Sequence, residues 1–515
     1  MDFLLEIGGE ELPVSFIKSA IETLREGLEG HLKEHSVSWG SLSIWGTPRR
    51  LAVFISDISP HSFSRQVEVK GPPKKVAFDQ EGKPAPALLG FLQAQKGRIE
   101  DVKVRKMPEG EYVFLLKKIP PENTEDILAS FLPFLITGIK LSKAMRWDRE
   151  DFYFSRPLRW IVSLLGDKVV SFEVGGIRSG RASRGHRFFG GEFVLGDASS
   201  YREELKEQFV VVDHFERKIL IVEGLDRLSS EVGGYRDQDE NLLEEVTFLV
   251  EYSQVLRGVI PPELLRLPSP LIATVLKHHI KAFPIFSSER KPIPFFLFVS
   301  NNPVPDASLE TIAGYEHVAV ARLRDAHFFY QKDTNTPLSD FSEALEGIVF
   351  MEGLGSLKDK SLRLLSVMEK LPHLVDGEEK NLLSRVLSLL KFDQATQVVK
   401  EFPELEGVMA KEYALLQGED RRVAEALYEH YLPRGSEDKI PATHLGKWTS
   451  LLDRLDSLAG LFSLGFKPTG SEDPYGLRRQ ATGVARVLLS MDEQFPPAPH
   501  HNDNLLPAIE PQDGN

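Results

Sequence analysis

The stretch SLLDRLDSLAGLFSLGFKPTGSEDPYGLRR, Ser450 to Arg479, decides the fold of the second half of the chain. Trp448, Leu451, Leu452, Leu455, Leu458, Leu461 and Phe462 recur at helical spacing and predict one helix with an apolar face. Gly465 suits the left-handed residue that ends such a helix. The loop Lys467-Pro468-Thr469-Gly470-Ser471 follows, and Asp473-Pro474 predicts a restart, with Asp473 as N-cap and Pro474 as first helical residue. Arg478 and Arg479 then lie just inside the second helix. Two helices joined by a polar, glycine-containing loop at a helix N-terminus offer a place for an anion.

Working outward, strand signals vanish from about Thr336, and helices dominate through Leu489. This predicts an all-α region over 336–490. The last residues, PPAPHHNDNLLPAIEPQDGN, predict a disordered tail over 491–515. The first 335 residues read as a mixed α/β body. Phe3–Ile7 is a strand, and Pro13 opens a helix carrying Phe16, Ile17, Ala20, Leu24 and Leu28. Leu42–Trp45 and Leu51–Ile58 are strands split by Gly46-Thr47-Pro48-Arg49-Arg50. Residues 64–120 are turn-rich and read as a subdomain or insertion, with a strand over Tyr112–Lys117. Residues 199–285 read as mostly helical, and Ile293–Ser300 as a buried strand. The fold class is therefore α+β.

Composition narrows the chemistry. The absence of cysteine excludes disulfides, thiolate zinc sites and cysteine nucleophiles. A net charge of −14 argues against coating nucleic acid through bulk positive charge, so any polyanion must meet a local basic face. Such clusters exist at Thr47–Arg50, Lys140–Trp147, Arg156–Trp160 and Ile177–Arg187. The densest is SGRASRGHRF (Ser179–Phe188), where Arg181, Arg184 and Arg187 supply forked donors suited to phosphate. The acidic start MDFLLEIGGEELP lacks a basic secretory n-region, and no apolar run reaches membrane-spanning length. A cytoplasmic location and no membrane partner are expected.

Glycine-rich nucleotide loops are missing. His444-Leu445-Gly446-Lys447 and Lys140-Leu141-Ser142-Lys143-Ala144 imitate a class I synthetase signature pair, but in reversed order and without an alternating β/α pattern between them. His31 with His35, and His278 with His279, lack a convincing third metal ligand. No catalytic residue and no metal ligand is assigned.

EIGGEELP, TPRRLAV, KAMRW, FSRPLRWIVSLLGDKVV, SGRASRGHRF, VFMEGLGSLKDK and the Leu452–Arg479 stretch together resemble the β subunit of bacterial tetrameric glycyl-tRNA synthetase. The resemblance spans roughly residues 1–490. It implies a chain that binds and positions tRNA(Gly) and partners a separate α subunit in an α2β2 assembly. The α subunit would carry the adenylate chemistry, with ATP and Mg2+ used by the holoenzyme and no cofactor bound by this chain. It also implies that 336–490 is related to HD phosphohydrolases, with Lys391-Phe392-Asp393 where a metal-binding His-Asp pair would stand, leaving Asp453 and Asp456 structural or electrostatic roles. An anticodon-binding domain usual in the family is expected to be missing here. The candidate tRNA contacts are Arg49, Arg50, Arg181, Arg184, Arg187, Lys467, Arg478 and Arg479. A metal-dependent phosphohydrolase and a stand-alone RNA-binding protein are the alternatives.

Overall fold

The computed structural model describes residues 1–79, 81–140, 144–147, 152–304, 308–370, 377–469 and 472–491. The expected tail beyond Met491, the tip of the loop at Gly470-Ser471, and residues 141–143 of the Lys140–Trp147 cluster lie outside the described residues. The chain forms two compact units. One comprises residues 1–228, 238–256 and 299–309; the other comprises 229–237, 257–298 and 310–515.

The first unit is organised around β1 (Phe3–Gly9), which is buried along its whole length. It lies between β3 (Arg50–Ile55) and β4 (Leu158–Leu165), antiparallel to both, and β2 (Leu42–Thr47) flanks β3. Alternation sends Phe3, Leu5 and Ile7 to one face, where they join the apolar stripe of α1 (Val14–Glu34). Leu4 goes to the other face, against Trp45, Trp160, Leu195 and Tyr201. Glu6 and Gly8 share that second face, which places a carboxylate in the core. Gly8 pairs with Arg50 on one side and Trp160 on the other. A Cβ at Gly8 would overlap the Trp160 indole, so only glycine lets that ring lie down on the sheet.

Residues 65–119 build their own three-stranded sheet from Arg65–Pro73, Val102–Met107 and Gly110–Ile119, the last in the centre. Its core is Ala77, Leu88, Leu92, Val113 and Leu115. Arg217 is a further buried charge of this unit. Among the described residues it has no carboxylate partner at hydrogen-bonding distance, and it donates to the carbonyls of Thr247 (3.1 Å), Val211, Val212 (3.0 Å) and Gly46. Burial pushes its pKa down to about 10.

The expected helical run over 199–285 is interrupted. The helix Glu240–Leu249 stops, and Gln254–Val259 and Phe283–Phe286 are strands. With Tyr235–Arg236 and Pro292–Ser300 they make a four-stranded sheet, Tyr235–Arg236 at one edge.

The helix Ser308–Thr334 precedes the helical region. Its buried Asp333 accepts from the amides of Gln397 and Val398 (2.9 Å each) and from the Tyr413 hydroxyl (3.0 Å). That carboxylate ties the helix to the helical body, so the second compact unit begins earlier than Thr336. In that body α4 (His444–Ser463) is the shared partner of α2 (Leu357–Lys370), α3 (Arg421–Glu429) and α5 (Leu477–Leu489), each of which packs against it. Helix α4 ends at Leu464-Gly465, with Gly465 at φ +83°. Its buried face differs from the expected one: Leu455 and Phe462 are exposed, while Asp453, Arg454 and Ser457 are buried. Helix α5 starts at Leu477, three residues later than the Asp473-Pro474 signal predicts. Among the described residues no helix is long and apolar enough to cross a membrane.

Candidate nucleic-acid interface and a lysine-filled acidic centre

In the first unit the sequence-predicted arginines gather around Trp160. The guanidiniums of Arg49, Arg50 and Arg184 lie 5.6, 5.6 and 5.2 Å from its ring. They differ sharply in what they face. Arg50 is fully buried. Its Nε donates to Glu251 (3.0 Å), one terminal nitrogen donates to the Arg184 carbonyl (2.7 Å), and Glu6 lies at 3.6 Å. Burial works against this charge, but Glu251 and Glu6 outweigh it and hold its pKa above the ordinary arginine value. The expectation that Arg50 faces a phosphate is therefore corrected: its strand position turns it into the core, where it neutralises the carboxylate of β1. Glu6 also accepts from Ser183 (2.9 and 3.0 Å) and from the Trp160 indole N–H. Thr47 donates to Glu251 (2.9 Å). Sequence reasoning passed over Glu6 and Glu251; the visible signal was a lone acid inside the apolar run FLLEIGG.

Arg49 is mostly covered, reaching the Gly185 carbonyl (3.4 Å), and burial lowers its pKa. Arg181 donates to the carbonyls of Asp167 (2.7 Å) and Leu195 (3.4 Å), so it braces the loop, while among the described residues its charge has no carboxylate at salt-bridge distance. Arg184 and Arg187 are the outward members. Arg184 meets Glu192 at 3.7 Å, and Arg187 meets Glu10 (3.0 Å) and Glu11 (2.9 Å). Phe188, 80% exposed, adjoins them. Exposed ion pairs are worth about 0–1 kcal/mol, so a phosphate can displace these carboxylates at little cost.

In the second unit Lys467, Arg478 and Arg479 are exposed around the α4–α5 connection. The helix N-terminus there is already served by the chain itself. Asp473 accepts from the amides of Leu477 (2.8 Å) and Arg478 (2.9 Å), and these contacts hold its pKa low. Arg478 donates to the Thr469 carbonyl. The anion expected at this helix start is an internal carboxylate, which leaves the three side chains as the cationic part of the loop.

The second unit also holds an acidic centre filled by ammonium groups. Lys360 of α2, 1% exposed, sits 3.0 Å from one Asp453 oxygen and 3.4 Å from Asp456, and donates to Ser457 (2.6 Å). Lys391 sits 3.1 Å from the other Asp453 oxygen, and Arg363 forks onto Asp456 (3.1 Å twice). Burial alone would raise the Asp453 pKa; Lys360 and Lys391 more than reverse this and hold the carboxyl well below the usual range. Asp393 is buried and accepts from Gly407 N–H (2.7 Å) and the Tyr431 hydroxyl (3.0 Å). Burial pushes its pKa up. His430, packed on Tyr431, is pushed down to about 3, by burial first and Lys391 second. A divalent metal does not fit this donor set. Both Asp453 oxygens already face cations, and the residue beside Asp393 is Phe392. Among the described residues no group of three His, Asp or Glu side chains is placed to hold a metal ion.

Residues 3–501 match the family model described as glycyl-tRNA synthetase beta subunit. The glycine–tRNA ligase beta subunit of Desulforamulus reducens is 39% identical over 491 residues, covering 95% of this chain and 70% of that protein. The corresponding subunit of Bacillus subtilis is 40% identical, covering 95% of this chain and 72% of that protein. The lone acid of β1, the arginines around Trp160 and the lysine-filled centre are thus features of a chain that belongs to the glycyl-tRNA synthetase beta subunit family, a component of an aminoacyl-tRNA synthetase.

Proposed function

We propose that this chain binds tRNA(Gly) and, with a separate α subunit in an α2β2 assembly, supports ATP-dependent glycylation in the cytoplasm. The observation that carries the tRNA contact is the outward pair Arg184 and Arg187, held beside exposed Phe188 on the loop above Trp160. Forked donors next to an aromatic ring suit the phosphates and bases of RNA. Arg49 and Arg181 border the same surface, and Lys467, Arg478 and Arg479 form a second cationic place. Adenylate formation, with its ATP and Mg2+, belongs in this reading to the α subunit.

The test is the double variant Arg184→Ala/Arg187→Ala. Each phosphate contact contributes about 0.7–0.9 to the salt slope of binding, so tRNA affinity at low salt falls and the slope flattens by roughly 1.4–1.8. Unchanged affinity and slope in a folded variant removes the loop from the interface. ATP–pyrophosphate exchange with glycine stays at background for the chain alone and appears when the α subunit is added; exchange by the isolated chain would overturn the division of labour. The phosphohydrolase reading is disfavoured by the ammonium groups on Asp453.

A further inference from the structure

A cavity of about 710 Å³ opens in the second unit, and none of its lining residues is among the candidate contacts named above. Its wall is the sheet edge Tyr235-Arg236-Asp237, the tip of the hairpin after Phe286, and the segment around Ser269-Pro270. Tyr235 is 67% exposed, although it sits in a regular strand directly opposite Phe286. An aromatic side chain of that size on an edge strand, left open beside a concavity, is a platform without a guest. The hairpin tip brings Arg290 to the same cavity in the left-handed region (φ +59°), a conformation that a non-glycine residue adopts at a cost. The turn is held by Ser287 N–H to the Lys291 carbonyl (2.8 Å) and Arg290 N–H to the Ser287 carbonyl (2.9 Å). Arg290 is exposed, and its neighbours Glu289 and Lys291 pair with one another (2.9 Å). Asp237, the only acid on the wall among the described residues, is ion-paired with Lys277, so with Arg236 and Arg290 the described wall carries net positive charge. Hydroxyls of Ser269, Ser287 and Ser288 complete the polar rim.

We propose that this cavity takes one unpaired nucleotide, its base stacked on Tyr235 and its phosphate on Arg290. The volume suits a ligand of that size, and stacking on an aromatic face with a guanidinium at the backbone is the general mode for single-stranded nucleic acid. Resting on the tRNA-binding reading, the inference commits to a nucleotide of bound RNA; a free mononucleotide shares the same chemistry.

The two residues carry different signatures, which makes the test specific. The full chain is titrated with tRNA(Gly) transcript across a salt series, and with AMP alone. Tyr235→Ala weakens tRNA binding about five- to 150-fold with the salt slope unchanged, because a stack releases no counterion. Arg290→Ala lowers the slope by about 0.7. Tyr235→Phe keeps the ring and restores affinity, which separates stacking from damage to the sheet. AMP binding that saturates and is lost in Tyr235→Ala, with tRNA binding unaffected, overturns the RNA source in favour of a free nucleotide. If wild-type chain binds tRNA while both alanine variants match it for tRNA and AMP, the cavity is not a nucleotide site. If wild-type chain binds no tRNA, the broader reading fails first.

Discussion

Replacing Lys360 with methionine isolates the electrostatic debt of the acidic centre. The two side chains are similar in volume, so little space is opened and what is lost is the ammonium charge with its hydrogen bonds to Ser457 and the Asp453 carbonyl. Lys360 stands 3.0 Å from Asp453 and 3.4 Å from Asp456, with its ammonium 4.4 Å from the Phe350 ring. Removing one partner of a buried pair costs about 3–5 kcal/mol, because the abandoned charge keeps its desolvation penalty. Here Lys391 still holds the second Asp453 oxygen and Arg363 still holds Asp456, which places the expected loss near the lower end, about 3 kcal/mol. Amide hydrogen exchange of the α4 peptides reads this locally. A loss of ~3 kcal/mol speeds exchange about a hundredfold. The double variant Lys360→Met/Asp453→Asn removes the stranded charge, so its cost falls short of the sum of the two single costs by about 0.5–3 kcal/mol. Additive costs, or a single variant within about 0.5 kcal/mol of wild type as for a surface site, would refute the claim that these lysines neutralise the centre.

Acid sensitivity follows from two histidines. Burial pushes His214 down to about 4 and His430 down to about 3, whereas an unfolded histidine titrates near 6.5. The unfolded chain therefore takes up protons first; stability is full above about pH 6.5 and falls as pH drops toward 4 and then 3. His430→Gln removes one such proton and flattens the slope over pH 4–6 by about 1.4 kcal/mol per pH unit; denaturant titrations at stepped pH measure it, and an unchanged slope counts against burial of a neutral ring. Gly8→Ala drives a methyl into the Trp160 indole and costs about 1–3 kcal/mol, read as a lower melting temperature; a neutral effect would mean the indole does not lie on β1.

Much of the fold was legible where burial is purely apolar. The strand at Phe3–Ile7 and the helix stripe Phe16, Ile17, Ala20, Leu24 and Leu28 could be read directly, since period 2 and period 3.6 each found an apolar partner. Reading failed where charge is buried in pairs. In α4 the leucines suggested a face that included Leu455, but Asp453, Arg454 and Ser457 claim the interior because their partners come from α2, from Lys391 and from Gln480. No local pattern announces partners that far away. The Arg49-Arg50 doublet shows the same limit: both side chains lie over Trp160, but only Arg50 is fully buried, because β3 begins there and its pairing aims that residue at Glu6. The helical reading of 199–285 failed at Gln254–Val259 for another reason, since that segment pairs with the strand Pro292–Ser300, distant in sequence, rather than prolonging the helix.

The central position of β1 has a consequence for synthesis. A strand made before its neighbours, residues 50–55 and 158–165, has one edge closed early and waits for the second until residue 165. Arg50 waits longer, because Glu251 follows it by 201 residues. At about 5–20 residues per second, that interval is roughly 10–40 s on the ribosome. During this time a guanidinium destined for the core is held in water, and until residue 165 is made one edge of β1 stays open to other strands. The nascent chain is therefore exposed to mispairing at β1 until residue 165 is made, whereas a pause placed between codons 165 and 251 would lengthen only the wait of Arg50 for Glu251.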